Sequence, residues 1–186
     1  NGHWVKGPGI DLFRAIKTDH PDARIIAEDL GYMTDSVRQL VRDTGFPNMK
    51  VLEFAFDSRD SSGANDYLPY NFNNNCVVYT GTHDNETLRG WFDDILPEEQ
   101  QLAKEYLDVR TDDPLEVVDK MIIMAQSSVA DLCVIPLQDY LGLGNSARIN
   151  RPSTLGCNWR WRVKDEQLDD DLSAKIYRMT RLYGRL

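Results

Sequence analysis

The sequence has 186 residues, 41% of them hydrophobic, and its 30 acidic and 21 basic residues give a net charge of −9 at pH 7. That length can bury the core of one ordinary domain, and no apolar run reaches the roughly 18–20 residues that span a bilayer. The acidic balance argues against a nucleic-acid or anionic membrane partner, because neutralising phosphates requires a basic surface. Three widely spaced cysteines (Cys76, Cys133 and Cys157) predict neither a disulfide framework nor a zinc site, and they favour a reducing, cytoplasmic setting.

Helix and strand signals alternate along the chain. A helix at 10–20 precedes a buried strand at 24–30 that is rich in β-branched residues. Thr34 is a suitable N-cap for the next helix, and Gly45 ends it. The later segments are predicted as strands at 49–56, 77–82 and 131–137 and as helices at about 86–92, 98–109, 115–130 and 172–183. This alternation predicts a parallel sheet with right-handed helical crossovers.

Four strand–helix units leave two parallel architectures open. They fit an open doubly wound sheet, and they fit part of a (β/α)8 barrel. A complete barrel requires eight strands and at least about 200–250 residues, so this chain would hold about half of one. The sequence also begins on Asn1 rather than Met, within a segment that has the pattern of a loop.

Polar side chains gather where the predicted strands end. In both architectures the active site lies at the carboxyl ends of the strands. The strand ends carry Glu28 and Asp29, then His83 and Asp84, then Gln138 and Asp139. Paired carboxylates at such an edge suit the cleavage of glycosidic bonds, in which one acid protonates the leaving oxygen and another carboxylate stabilises positive charge on the sugar. The competing interpretation is structural, because acidic side chains at strand ends also cap the helices that follow.

Two further patterns have weaker functional interpretations. His83 and Asp84 could bind a metal, but no third ligand lies at a suitable spacing. The segment 142–147 matches the GxGxxA fingerprint of dinucleotide sites, yet no strand directly precedes it and no helix directly follows it. A flexible loop at the mouth of a barrel is the better interpretation of that segment.

Several longer motifs, taken together and in order, resemble one family over nearly the whole chain. They are IIAEDLG at 25–31, GFPNMKVLEFAF at 45–56, VYTGTHDN at 78–85, IPLQD at 135–139, ARIN at 147–150 and NWRWR at 158–162. This ordered set is similar to that of the 4-α-glucanotransferases, also called amylomaltases or disproportionating enzymes, of glycoside hydrolase family 77.

The resemblance implies that residues 1–186 form one partial catalytic domain, the C-terminal half of a TIM barrel with strands 5–8. It implies a retaining, double-displacement transfer of α-1,4-glucan segments between maltooligosaccharides or amylose chains. By motif, Glu28 is the general acid/base, and Asp84 is the carboxylate that holds the reacting sugar and stabilises the transition state. His83, Asp29 and Asn150 are the implied substrate contacts. The resemblance implies no metal and no cofactor.

One element that the family requires has no match in the sequence. The family's nucleophile is an aspartate on an earlier strand, and none of Asp11, Asp19 and Asp22 has a matching neighbourhood. We therefore expect the N-terminal half of the barrel to be absent, the chain alone to be inactive, and its exposed sheet edges to permit self-association. A non-catalytic glucan-binding half-barrel and a glycoside hydrolase of the α-amylase type are the alternatives.

Overall fold

A small parallel sheet organises the fold. The computed structural model describes residues 2–3, 5–31, 33–58 and 66–186. The strands are β1 (Asn48–Val51), β2 (Cys76–Tyr79) and β3 (Leu132–Val134), which lie side by side in chain order. Met49 of β1 is level with Val77 of β2, and Val77 is level with Leu132 of β3. The predicted α/β class with a parallel sheet is confirmed.

In the described residues, two helices precede β1, three lie between β2 and β3, and two follow β3. They are α1 (Ile10–Asp19), α2 (Asp35–Thr44), α3 (Leu88–Asp94), α4 (Pro97–Leu107), α5 (Pro114–Ser127), α6 (Leu137–Tyr140) and α7 (Asp170–Leu182). The predicted signals set the ends of α2: the Thr34 hydroxyl accepts from the N–H of Val37, and Gly45, at φ 66°, ends the helix. In the ranges that the structure describes, no helix is long and apolar enough to cross a membrane.

The first strand expected from the sequence, at 24–30, is reduced to a single parallel bridge between Ala27 and Asn48. The N–H of Ala27 donates to the carbonyl of Pro47 (2.9 Å). The N–H of Met49 donates to Oδ1 of Asp29 (2.9 Å), so a side chain replaces the main-chain acceptor of a continuing strand. The prediction of a full strand was therefore wrong.

The strand expected at 49–56 is also shorter than predicted. It ends at Val51, because Leu52–Phe54 turns into one 3-10 helix. The N–H of Ala55 closes this turn on the carbonyl of Leu52 (3.0 Å), and the N–H of Glu53 donates across to the carbonyl of Thr80 (3.2 Å). The turn thus fastens the end of β1 to the residue that follows β2.

The two faces of the sheet have different surroundings. Cys76 and Val78 point to one face and belong to the buried core, to which α3, α5 and α7 contribute apolar side chains. Side chains alternate between the faces along a strand, and on the other face Leu132 and Val134 are 48% and 38% exposed. No further strand in the described residues pairs with the outer edge of β3. One face of the sheet is therefore covered by helices, while β3 leaves an edge and part of the opposite face open.

Candidate active site

A cleft of about 850 Å³ opens beyond the carboxyl ends of β2 and β3. Its lining includes Glu28, Tyr79, His83, Asp84 and Val134. Glu28 is exposed. Burial raises the pKa of the Tyr79 hydroxyl, and the negative charge of Glu28 raises it further, which places that carboxylate near the tyrosine. The structure thus brings Glu28, His83 and Asp84 to one cleft, as the strand-end pattern predicts.

Asp84 lies on the turn that follows β2. Its N–H donates to Oγ1 of Thr82 (3.2 Å), and its Oδ1 accepts from Nδ2 of Asn150 (2.5 Å). Nε2 of His83 lies 3.4 Å from the same oxygen. The other oxygen, Oδ2, has no hydrogen-bond partner among the residues that the structure describes. Two expected substrate contacts therefore adjoin the expected carboxylate, and one of its oxygens is available to a ligand.

Arg148 ties this turn to the segment that carries Asn150, although the sequence patterns suggested no role for it. Its Nη1 donates to Oε1 of Glu86 (3.2 Å), and its Nη2 donates to the carbonyl of Asp84 (2.6 Å). Its Nε donates to the carbonyl of Asn150 (2.8 Å). One guanidinium, with its rigid fork of donors, thus fixes both segments of the cleft. The ARIN motif contains this residue, but its partners Glu86 and Asp84 lie more than 60 residues earlier in the chain.

Trp159 covers one side of the His83 ring. The ring centroids lie 5.1 Å apart at an interplanar angle of 41°. Trp159 has φ 65°, a backbone conformation that is uncommon for an aromatic residue, and its N–H donates to the carbonyl of Ile149 (2.7 Å). This contact limits the orientations of the imidazole and leaves the indole 57% exposed beside the cleft.

The structure separates Asp29 from the other expected site residues. Oδ1 of Asp29 accepts from the N–H of Met49 (2.9 Å), and Oδ2 accepts from Nδ2 of Asn48 (3.0 Å). Asp29 lines a second cavity of about 340 Å³ together with Asn48. Its carboxylate therefore holds the 24–30 segment against β1.

Asp139, the strand-end carboxylate after β3, is a buried helix cap. It is 2% exposed, and it accepts from the Thr80 hydroxyl at Oδ2 (2.6 Å) and from the N–H of Leu88 at Oδ1 (2.8 Å). Leu88 is the first residue of α3. Burial raises the pKa of Asp139 to about 6, and the hydrogen bonds from Thr80 and Leu88 oppose that rise. Asp139 thus has a structural role, but it binds the first turn of α3, which precedes β3 in the chain, and not the helix that follows its own strand.

The segment 142–147 forms a tight connection. It ends in the 3-10 turn Asn145–Ala147, whose closing N–H on Ala147 donates to the carbonyl of Gly144 (2.9 Å). Nδ2 of Asn145 donates to Oδ2 of Asp94 in α3 (3.0 Å). No long helix begins here, so the segment lacks the helix N-terminus that a pyrophosphate site requires. Among the described residues, no cluster of His, Cys, Asp and Glu could hold a metal ion.

The sequence patterns missed one buried acid, Glu53. It lies in the 3-10 turn after β1, and its side chain is 6% exposed. Burial raises its pKa well above the ordinary value, and the negative charges of Asp139 and Glu86 raise it further. In the run LEFAF, hydrophobic residues alternate, so a strand would turn Glu53 toward solvent. The segment forms a 3-10 helix instead, and this change of backbone directs Glu53 inward.

Fold and cleft together define a parallel α/β protein whose polar side chains meet at the carboxyl ends of its strands, which is where α/β enzymes carry out their chemistry. The sequence model of the family described as 4-alpha-glucanotransferase, glycoside hydrolase family 77, matches residues 1–169. The chain belongs to this family.

Relatives of the chain share it over its whole length. It is 50% identical over 186 residues to the 4-alpha-glucanotransferase of Clostridium butyricum, and this match covers 100% of this chain and 37% of the relative. It is 44% identical over 189 residues to the chloroplastic/amyloplastic 4-alpha-glucanotransferase DPE1 of Arabidopsis thaliana, and this match covers 100% of this chain and 32% of the relative. The chain therefore spans about a third of the length of these relatives.

Solved structures agree with the family assignment. The amylomaltase of Streptococcus agalactiae in complex with acarbose matches with a TM-score of 0.90 and 35% identity, covering 99% of this chain and 36% of that one. The amylomaltase of Corynebacterium glutamicum matches with a TM-score of 0.61 over 92% of this chain and 30% of that one. At 18% identity, the second match supports the fold alone.

Proposed function

We propose that this chain forms part of the active site of a 4-alpha-glucanotransferase, which transfers α-1,4-glucan segments between maltooligosaccharides by a retaining double displacement. The observation that carries the proposal is the shared cleft of Glu28, His83 and Asp84. Membership of the family and the acarbose complex of the Streptococcus agalactiae relative support a glucan as substrate.

The proposed roles follow from the positions of the side chains. Glu28 is exposed in the cleft and can exchange protons with a leaving oxygen and an incoming hydroxyl, as a general acid/base requires. Asp84 presents a free Oδ2, which can accept from sugar hydroxyls and stabilise an oxocarbenium-like transition state. His83 and Asn150 border that carboxylate and are proposed to bind the same sugar. Asp29 is proposed to act on the sugar only indirectly, since both of its oxygens accept from β1.

We further propose that the sheet is one part of a TIM barrel and that other strands complete it. The bridge at Ala27, β1, β2 and β3 lie in sequential order without the reversal that marks a doubly wound sheet. The open edge of β3 and its exposed Leu132 and Val134 provide a surface against which further strands can pair and pack. In this arrangement the remaining strands supply the nucleophilic aspartate, and cytoplasmic glucan metabolism is the proposed setting.

The chain alone is expected to leave maltotriose unchanged, because it supplies an acid/base but no candidate nucleophile. A chimera in which this chain replaces the matching region of the Clostridium butyricum relative is expected to convert maltotriose into glucose and longer chains. Chromatography of the products measures the conversion of maltotriose by the chain alone and by the chimera. Disproportionation by the chain alone would refute the inactivity.

The products of the chimera also distinguish a transferase from a hydrolase of the α-amylase type and from a non-catalytic glucan-binding half-barrel. Transfer leaves the number of reducing ends constant, whereas a hydrolase increases it. If the chimera folds and is inert, while the chain binds maltooligosaccharides in isothermal titration calorimetry, a non-catalytic glucan-binding part is the correct description and the transferase proposal fails.

Self-association of the isolated chain is expected to depend on the open edge of β3. Replacing Leu132 and Val134 together by lysine should weaken this self-association at least about tenfold, because charges oppose edge-to-edge pairing. Sedimentation velocity over a concentration series measures the change. The matched control is Leu182→Lys, which adds charge at an exposed position of α7. A chain that is monomeric at all concentrations, or a control that weakens association equally, contradicts the proposal.

A further inference from the structure

The Glu53 carboxyl group lies directly beneath the turn that carries His83 and Asp84. The N–H of Glu53 donates to the carbonyl of Thr80, at the start of that turn (3.2 Å). Its Oε1 packs so closely against Gly81 that a Cβ atom at that position would collide with it. Gly81 is therefore required for the close approach of the carboxyl group, and Glu53 supports the turn from below.

Burial and two neighbouring acids oppose the ionisation of Glu53. It faces Asp139 of α6, Glu86 of the turn after β2, and Arg148 of the segment before Asn150. Burial is the largest cause that raises its pKa, followed by the two acids, while Arg148 and the Asn85 amide lower it. Arg148 already donates to Glu86 and to two carbonyl oxygens.

Oε1 of Glu53 is buried and has no hydrogen-bond partner among the described residues. Leaving a buried carboxylate oxygen unpaired is costly, whereas a neutral carboxyl group loses the charge and gains an O–H donor. The negative charges of Asp139 and Glu86 also outweigh Arg148 and the Asn85 hydrogen bond, so the neutral form suits this cluster better than the anion.

Asn85 forms a side-chain hydrogen bond with Glu53 and, through Thr82, also reaches Asp84. Its Oδ1 accepts from the N–H of Thr82 (3.1 Å) and from the Thr82 hydroxyl (2.6 Å). The same hydroxyl accepts from the N–H of Asp84 (3.2 Å). A displacement of Asn85 therefore changes the contact that holds the backbone of Asp84.

We propose that Glu53 is a positioning residue, which must stay uncharged to support the turn that presents His83 and Asp84 to the glucan. The proposal rests on the proposed transferase function. Ionised Glu53 repels Glu86 and Asp139, loosens the turn and misplaces Asp84, and a displacement of about 1 Å in an active site can cost about 100-fold in rate.

Two substitutions of Glu53 in the chimera test the proposal. Glu53→Ala removes the support and is expected to lower kcat about 10–100-fold with less than about a threefold change in KM, because Asp84 acts on the transition state. Glu53→Gln keeps the shape without the charge and is expected to retain at least about tenfold more kcat than Glu53→Ala. If Glu53→Ala keeps the parent kcat, or Glu53→Gln is as impaired as Glu53→Ala, the proposal fails.

The pH profile distinguishes positioning by a neutral acid from simple packing. In the parent chimera, kcat should fall as the pH rises through the elevated pKa of Glu53. Glu53→Gln cannot ionise, so this loss of kcat at alkaline pH should disappear and leave only the limb that the general acid Glu28 sets. If the alkaline limb of the kcat profile is the same in Glu53→Gln and the parent, the proposal is wrong. The pH profile compares only these two proteins, so it does not depend on whether Glu53→Ala folds.

A spectroscopic measurement separates this proposal from the transferase function. In the chimera labelled with ¹³C at the glutamate carboxyl carbons, the signal that Glu53→Gln removes should show the shift of a neutral acid at pH 7. An inert chimera with a neutral Glu53 contradicts the transferase function alone. An active chimera with an ionised Glu53 contradicts the positioning role alone.

Discussion

Glu28→Gln in the chimera is expected to lower kcat/KM for maltotriose disproportionation by about 10²–10⁴-fold, the range typical of a lost general acid/base. The glutamine amide fills the same space in the cleft but cannot protonate the glycosidic oxygen. Product chromatography under initial-rate conditions measures the loss.

The leaving group distinguishes proton transfer from a general disturbance of the cleft. A nitrophenyl glycoside departs with little protonation, so formation of the glycosyl-enzyme by Glu28→Gln should be much less impaired with this substrate than with maltotriose. The matched control is Glu105→Gln, which makes the same chemical change at an exposed position of α4 and should be silent. Equal impairment with both substrates contradicts the acid/base role.

Asp139→Ala is expected to lower the free energy of unfolding by about 2–4 kcal/mol, while Asp139→Asn should not. The alanine leaves the buried Thr80 hydroxyl and the N–H of Leu88 without their acceptor and opens a small cavity. The asparagine keeps an oxygen for Leu88 and can donate its amide to Thr80. Urea unfolding of the chain followed by circular dichroism compares the variants.

The pH dependence of this effect has a defined sign. The pKa of Asp139 is raised to about 6, above the value of about 3.9 in an unfolded chain, so the folded state binds the extra proton. The stabilisation that this proton gives the folded state is complete below pH 4 and is lost as the pH rises to 6. The difference between Asp139→Asn and the parent should therefore grow by up to about 3 kcal/mol in favour of the variant. A constant difference across this pH range contradicts the burial of a titrating carboxyl group.

The parts of the fold that the sequence predicts well depend on local signals. Thr34 and Gly45 mark the ends of α2, and Pro97 and Pro114 begin α4 and α5 at a position where a missing N–H costs least. The segment 24–30 has the composition of a strand, but whether it pairs depends on a neighbouring chain segment. Here Asp29 takes a backbone donor of β1, a contact that no local pattern reveals.

In the candidate site, too, the sequence predicts the features that depend on local signals and misses those that depend on tertiary contacts. The rule that parallel strands present polar groups at their carboxyl ends finds Glu28, His83 and Asp84, because it depends only on strand direction. It gives the same weight to Asp139, since burial cannot be read from a strand end. It also misses Arg148, whose contacts to the turn after β2 are made only in the folded chain.

The bonds of Arg148 also have a mechanical consequence. The turn that carries His83 and Asp84 and the segment that carries Asn150 are joined to each other by the guanidinium and by the Asn150–Asp84 hydrogen bond. A third connection is the tilted ring contact of Trp159 with His83, since the N–H of Trp159 donates to the carbonyl of Ile149. Because several contacts join the two segments, we expect a ligand that displaces one of them to displace the other as well.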